Sequence, residues 1–373
     1  MAKRPTARQA LLEAQPASDD PMNRVIDRIH GQRIFGKLPL FVLGAGVSKG
    51  VVPLLSDIAW WLKRELEKPA LGGAGAWVAN HAAAIVQGPA SRRQGAELFS
   101  ALQDRSGPFL PIWKKFSKGF LIGGLEFDAG FKFPGLCSPD VAPTKSHRIL
   151  AEMLVDRSAH VLSLNFDGLT RKAVNLAGSP CAALHNKKNI YTYFTAPTDA
   201  FTPAIIKIRG DVFYALCTNP ACPLSEAPYP IDRLQSSSAD PSEPKCPDCS
   251  SPDLELQFQF PGYRLKEEAS HPTLWAARRF LASRISSIVI IGFSGRWDRY
   301  VLQFLFGLAR ERDLLIVDVK PPDSSSDLIE RFRSIYYPSM PASTDAPPTE
   351  RAVYARIPAT ADHFLATLKD AQL

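Results

Sequence analysis

Cys217, Cys222, Cys246 and Cys249 are spaced as C-x4-C and C-x2-C, with 23 residues between the pairs. Two close-set thiol pairs, each on one tight turn, suit a tetrahedral Zn²⁺ site; four thiolates close its coordination sphere, so the expected role is structural. A second set of candidates sits on glycine-rich turns. Gly44-Ala45-Gly46-Val47-Ser48 follows an apolar run. A turn of that composition can bring backbone N–H groups to a pyrophosphate because no Cβ intervenes, and it equally suits an ordinary tight turn. Asn165 and Asp167 lie two apart in Leu-Asn-Phe-Asp-Gly and on an extended chain point the same way. They would face one ligand, or else satisfy their own backbone as an Asx turn. Gly292-Phe293-Ser294 is a second Gly/Ser turn after an apolar run, and Asp298 and Asp318 each suit a ribose hydroxyl or a cap. His147 reads as a structural residue near a helix start and His185 as a surface residue. Cys137 and Cys181 read as buried small apolar groups.

The elements that must position these residues are apolar runs: Pro39–Leu43, Val161–Leu164, Ile205–Ile208, Ile288–Ile291 and Leu314–Val317. Strands that are apolar throughout, rather than alternating, indicate a parallel sheet covered on both faces. Each run ends in small or polar residues, and in open α/β sheets the ligand sits outside the carboxyl ends of the strands. The expected fold is α/β, a doubly wound, mainly parallel, Rossmann-like sheet. Its expected parts are a mobile arm over 1–23, a nucleotide-binding domain over 24–209 and 256–373, and a zinc module over 210–255. A helical insertion is expected at about 70–140. Ser56 is the expected N-cap of a helix to Lys68, with Ile58, Trp61, Leu62 and Leu66 on one face.

Composition narrows the function classes. The 373 residues are 45% hydrophobic and 22% charged, with a formal net charge of +7. A zinc–tetrathiolate site lowers that charge to about +5, compatible with an anionic ligand. No Lys/Arg run or basic–aromatic stripe signals nucleic acid. No apolar run approaches the ~20 residues of a membrane span, and the basic N-terminus lacks an apolar signal core; a cytoplasmic protein is expected.

Taken in order, these residues resemble the sirtuin family, in particular its divergent bacterial branch. G-A-G-V-S comes first, then P-T-K-S-H-R-I-L, resembling the family's P-x-x-x-H helix, and L-N-F-D-G-L, resembling Q-N-I-D-G-L. K-I-R-G-D follows, where the family's strand ends in His-Gly, then the cysteine pairs and G-F-S, resembling G-T-S. The resemblance spans about residues 38 to 320 and implies a sirtuin-type sheet. It implies NAD as substrate or ligand, with Gly44, Ala45, Gly46, Val47 and Ser48 at the pyrophosphate. Gly292, Phe293 and Ser294 would then lie near the adenosine and Asn165 and Asp167 beside the nicotinamide ribose, with Asp318 a further cofactor-binding candidate. Three departures stand out: Arg209 replaces the family's His, the G-x-P-D-F-R loop is reduced to V-V-P-L-L-S-D around Pro53, and F-Q-F-P-G-Y lacks the F-G-E-like segment of an acyl-lysine tunnel. Arg stays protonated and cannot serve as a general base. Hydrolysis of NAD at the nicotinamide–ribose bond is therefore the first reading, with Asn165, Asp167 and His185 as catalytic candidates. Members of that branch are often effectors of phage defence, acting as homo-oligomers or with an ATPase or Argonaute-like partner. The other readings are a silent NAD or ADP-ribose sensor and an NAD-dependent protein deacylase.

Overall fold

The computed structural model describes residues 20–33, 36–66, 72–87, 97–99, 101–102, 109–127, 130–136, 138–196, 202–225, 229–230, 245–251, 254–258, 272–295, 298–312, 314–324, 328 and 354–371. In chain order its strands are β1 (Leu38–Leu43), β2 (Leu125–Glu126), β3 (Lys132–Phe133), β4 (His160–Ser163), β5 (Ala182–Leu184) and β6 (Ala204–Lys207). They continue with β7 (Gly210–Cys217), β8 (Tyr229–Pro230), β9 (Leu254–Phe258), β10 (Ile285–Ile291), β11 (Leu315–Lys320) and β12 (Tyr354–Pro358). Seven of them form one sheet in the order β12-β11-β10-β1-β4-β6-β5. Every pairing in it is parallel.

Successive residues of a strand point to opposite faces, and here both faces are buried. Phe41 and Leu43 enter a core shared with the helices Pro21–Arg33, Lys145–Val155, Leu169–Leu176 and Ala361–Asp370 through Ile26, Leu150, Val174 and Phe364. Leu40 and Val42 enter a second core with the helices Lys187–Thr195, Pro272–Leu281 and Arg299–Arg312 through Ile190, Leu274 and Leu302. Helices on both faces of a parallel sheet make the fold α/β and doubly wound. The chain leaves β1 for β4 on one side and returns to β10 on the other, so the topological switch point lies between β1 and β10.

A third core gathers the helices Leu55–Leu66, Gly72–Val86 and Phe109–Ile122 with Val212 and Ala215 of β7. The insertion's core thus starts at Val52, ahead of residue 70, and strand β7 of the cysteine module packs into it. The module's small antiparallel sheet, ordered β8-β7-β9, runs on to Phe258. Ile58, Trp61 and Leu62 are buried as expected. The helix nevertheless starts at Leu55, where the Asp57 carboxylate accepts the Leu54 N–H at 2.7 Å, so Ser56 lies inside the first turn and is not the cap. Residues 1–19, 231–244 and 338–349, with Cys137, lie outside the described residues. Among the described residues no helix is long and apolar enough to cross a membrane.

Candidate functional site

The site grows from the ends of β1 and β4. After Leu43 the chain turns through a 3-10 segment, Ala45–Ser48; after Ser163 it runs through Leu164-Asn165-Phe166-Asp167 to the N-terminus of the Leu169–Leu176 helix. Asn165 and Asp167 are both buried there. The Asn165 amide nitrogen donates to the Gly44 carbonyl at 3.1 Å and to Ser48 Oγ at 3.3 Å. A carbonyl only accepts, so this contact fixes the amide's orientation and leaves Oδ1 as its free-facing acceptor. Ser48 donates its hydroxyl to Asp167 Oδ2 at 2.8 Å, while Asp167 Oδ1 accepts the Leu169 N–H at 3.1 Å.

His147 completes this cluster from the side. Thr144 caps the Lys145–Val155 helix in a reciprocal box: its Oγ1 accepts the His147 N–H, and its own N–H donates to His147 Nδ1 at 3.2 Å. Nδ1 is therefore an acceptor, and the ring proton sits on Nε2, 3.4 Å from Ser48 Oγ. Burial holds the His147 pKa below 6.5; the Asp167 charge opposes that lowering and Lys207 adds to it. The result is a fixed chain of donors, His147 to Ser48 to Asp167. His147 is thus more than a helix-start residue, and its place in the P-T-K-S-H segment was the sequence signal for it.

One cavity opens onto this cluster. It is lined by Gly44, Ala45, Ser48, Asn165 and Asp167, by Gly292, Phe293 and Ser294, and by Pro53 and Asp298. A second cleft shares Gly292, Phe293 and Ser294 and continues past Gly46, Val47 and Lys49 to Lys320, Pro321 and Thr360. Between the two, the glycine turns touch. A Cβ on Gly44 would lie 2.5 Å from the Gly292 carbonyl oxygen, and one on Gly292 would lie 2.6 Å from the Val47 nitrogen. The Gly44 and Gly46 N–H groups donate to Ile291 and Gly292 carbonyls at 2.9 and 3.0 Å. These glycines therefore serve the close approach of two backbones at the switch point, and those two N–H groups are already engaged.

Arg209, in the turn between β6 and β7, is buried and ion-paired with Asp298 on the cavity wall. Beneath it, Lys207 Nζ donates to the Asp167 carbonyl and lies 3.7 Å from Asp211 Oδ2. Two expected residues line neither cleft. His185 follows β5, an edge strand separated from β4 by β6, and its ring lies 4.8 Å from that of Tyr214. Burial also lowers its pKa, with Asp211 pulling the other way. Asp318 does not end its strand, because β11 runs on to Lys320. Its carboxylate is fully buried, paired with Lys320 Nζ at 2.9 Å and accepting the Tyr354 hydroxyl at 3.0 Å.

The four cysteine sulfurs all lie within 4.8 Å of one another, with Cys217–Cys249 at 3.4 Å and Cys222–Cys246 at 3.6 Å. Four Sγ atoms on a tetrahedron 2.3 Å from a Zn²⁺ ion are about 3.8 Å apart, so this set fits the metal. The Cys246–Cys249 turn is closed by Cys246 and Ser250 backbone bonds, with Ser250 left-handed at φ 58°. Cys181 stands apart and is half-buried rather than buried; desolvation pushes its thiol up to about 12, away from the thiolate form.

No protein-family model and no curated protein matches the chain. Among solved structures it is similar to Sir2Af2 bound to a myristoylated histone peptide, at 12% identity over 95% of this chain and 96% of that one, with a TM-score of 0.41. The fold assignment rests on the strand order and register described above.

Proposed function

We propose that the protein binds NAD along the two clefts and hydrolyses its nicotinamide–ribose bond. The observation that carries this reading is the shared cavity: Asn165, Asp167 and Ser48 form one hydrogen-bonded group at the carboxyl ends of β1 and β4, facing the Gly292–Ser294 turn. In this reading nicotinamide leaves with the bonding electron pair, water adds to the ribose C1′, and one proton passes to solvent. The transition state carries positive charge on the ribose. The Asp167 carboxylate and Asn165 Oδ1 are held in advance where they can stabilise that charge, and Asn165 Oδ1 can also hold the attacking water. Ser48 and His147 hold the Asp167 carboxylate in register and need not exchange a proton with the substrate. Pairing with Asp298 neutralises Arg209, so no net positive charge from Arg209 opposes the cationic nicotinamide. Such a reaction left unchecked would empty a cell of NAD, the output proposed here for a defence effector; cellular NAD during phage challenge, with and without the protein, tests that role.

The direct experiment follows nicotinamide release from NAD by purified protein, alone and with an acetylated peptide. Release without peptide, lowered about 100-fold or more by Asn165→Ala, is the expected result. NAD binding without release from the holo protein would sink hydrolysis and favour the sensor reading, which the absence of an ionisable base at Arg209 supports. Release that requires peptide would favour the deacylase.

A further inference from the structure

The helices Lys187–Thr195 (KKNIYTYFT) and Pro272–Leu281 (PTLWAARRFL) come from distant parts of the chain but pack together on one face of the sheet. Arg279 donates to the Tyr191 hydroxyl at 3.1 Å, and the Phe194 and Phe280 rings stack at 5.1 Å. Neither helix contains an acid. Asp199 is the one Asp or Glu between Gly168 and Arg209, and there is none from Pro272 to Trp297. Lys187, Lys188, Arg279 and Arg284 are exposed. The cations also lie over aromatic rings: Lys187 and Arg279 over Tyr191 at 5.8 and 5.6 Å, Arg284 over Phe194 at 4.9 Å, and Arg278 over Trp275 at 5.2 Å. Trp275 is 53% exposed, unusual for so large an apolar ring.

Exposed cations beside an exposed indole match the chemistry of a single nucleic-acid strand, whose phosphates need the charges and whose unpaired bases stack on aromatic faces. An acidic protein surface would use the charges but has no need of an open indole. We propose that this face binds single-stranded nucleic acid without sequence preference, with phosphates on Lys187, Arg279 and Arg284 and a base on Trp275. No window of the sequence shows a basic stripe because the fold assembles this one from two segments. Arg284 immediately precedes β10, at the amino end of the strand whose carboxyl end forms the cavity. Lys187, Trp275, Arg279 and Arg284 line neither cleft, and the proposal does not rest on the NAD chemistry.

The test is fluorescence anisotropy of a labelled oligothymidylate with the full-length protein, from about 50 to about 200 mM salt. Wild type is expected to bind, more weakly as salt rises. A Lys187→Ala/Arg279→Ala/Arg284→Ala variant should bind at least about tenfold more weakly at the lowest salt. Its log–log salt slope should be smaller by about 2, because each lost phosphate contact removes about 0.7. Trp275→Ala should weaken binding about tenfold at an unchanged slope. Equal melting temperatures separate these effects from misfolding. No binding by wild type, a triple-variant slope equal to wild type, or equally effective competition by polyglutamate of matched charge would overturn the proposal, the last in favour of an acidic protein.

Discussion

Arg209 and Asp298 illustrate how one residue change propagates through a buried site. A histidine at that position could lose its proton; an arginine cannot, and its charge must be matched in place. Asp298 supplies the match, and both side chains are buried. Arg209→Ala is therefore expected to cost about 3–5 kcal/mol in urea unfolding, because it strands the Asp298 carboxylate. The Arg209→Met/Asp298→Leu double variant should recover most of that loss. The histidines set the acid response. His147 and His160 both have folded pKa values below 6.5, His160 near 4 through burial first and Arg284 second. The unfolded chain takes up these protons more readily, so the histidines' contribution to stability is full above about pH 6.5 and is lost as pH drops towards 4. His160→Phe should flatten that fall, by at most about 3 kcal/mol at the acid end, as read from unfolding midpoints at stepped pH. At the same scale, the spacing of two left both readings of Asn165 and Asp167 open: Asp167 Oδ1 closes an Asx turn on the Leu169 N–H, and both residues also line the cavity. The contact of Ser48 with His147 was not legible, since they lie 99 positions apart and meet only because the helix Lys145–Val155 packs back on the sheet beside β1.

At the scale of elements, the sheet was readable where burial was complete. β1, β4, β6, β10 and β11 each show as an apolar run because both their faces are covered. β5 and β12 stand at the edges, are three and five residues long, and carry no such run, so no periodicity marked them. The apolar run stops at Val317 and so sets Asp318 at a strand end, whereas the strand runs on to Lys320; Lys320 and Tyr354 supply the partners that allow a carboxylate in mid-strand. The tightest join between elements is the meeting of the β1 and β10 turns. Gly292 adopts φ +68° and has no room for a methyl group. Gly292→Ala should destabilise the protein by about 2–5 kcal/mol, combining left-handed strain with overpacking. It should also weaken NAD binding, because both clefts share that turn; calorimetric melting and NAD titration of the one variant check both effects.

Across the whole molecule, one strand joins the site, the insertion's core and the cysteine cluster. β7 starts beside Arg209, donates from Val212 to the Phe166 carbonyl at 2.9 Å in the turn that carries Asn165 and Asp167, packs Val212 and Ala215 into the insertion's core, and ends at Cys217. Stripping the proposed zinc with a chelator should lower the melting temperature and reduce nicotinamide release together, and added Zn²⁺ should restore both. Full activity in verified metal-free protein would show that the module is dispensable for the chemistry. The six residues from Val212 to Cys217 span about 17 Å of extended chain, and a strand of that length passes a loss of order at one end to the other. One practical consequence concerns preparation. If the proposed couplings hold, turnover per mole of chain is a measure of metal occupancy, and two batches of identical sequence and purity can differ in specific activity by their zinc content alone.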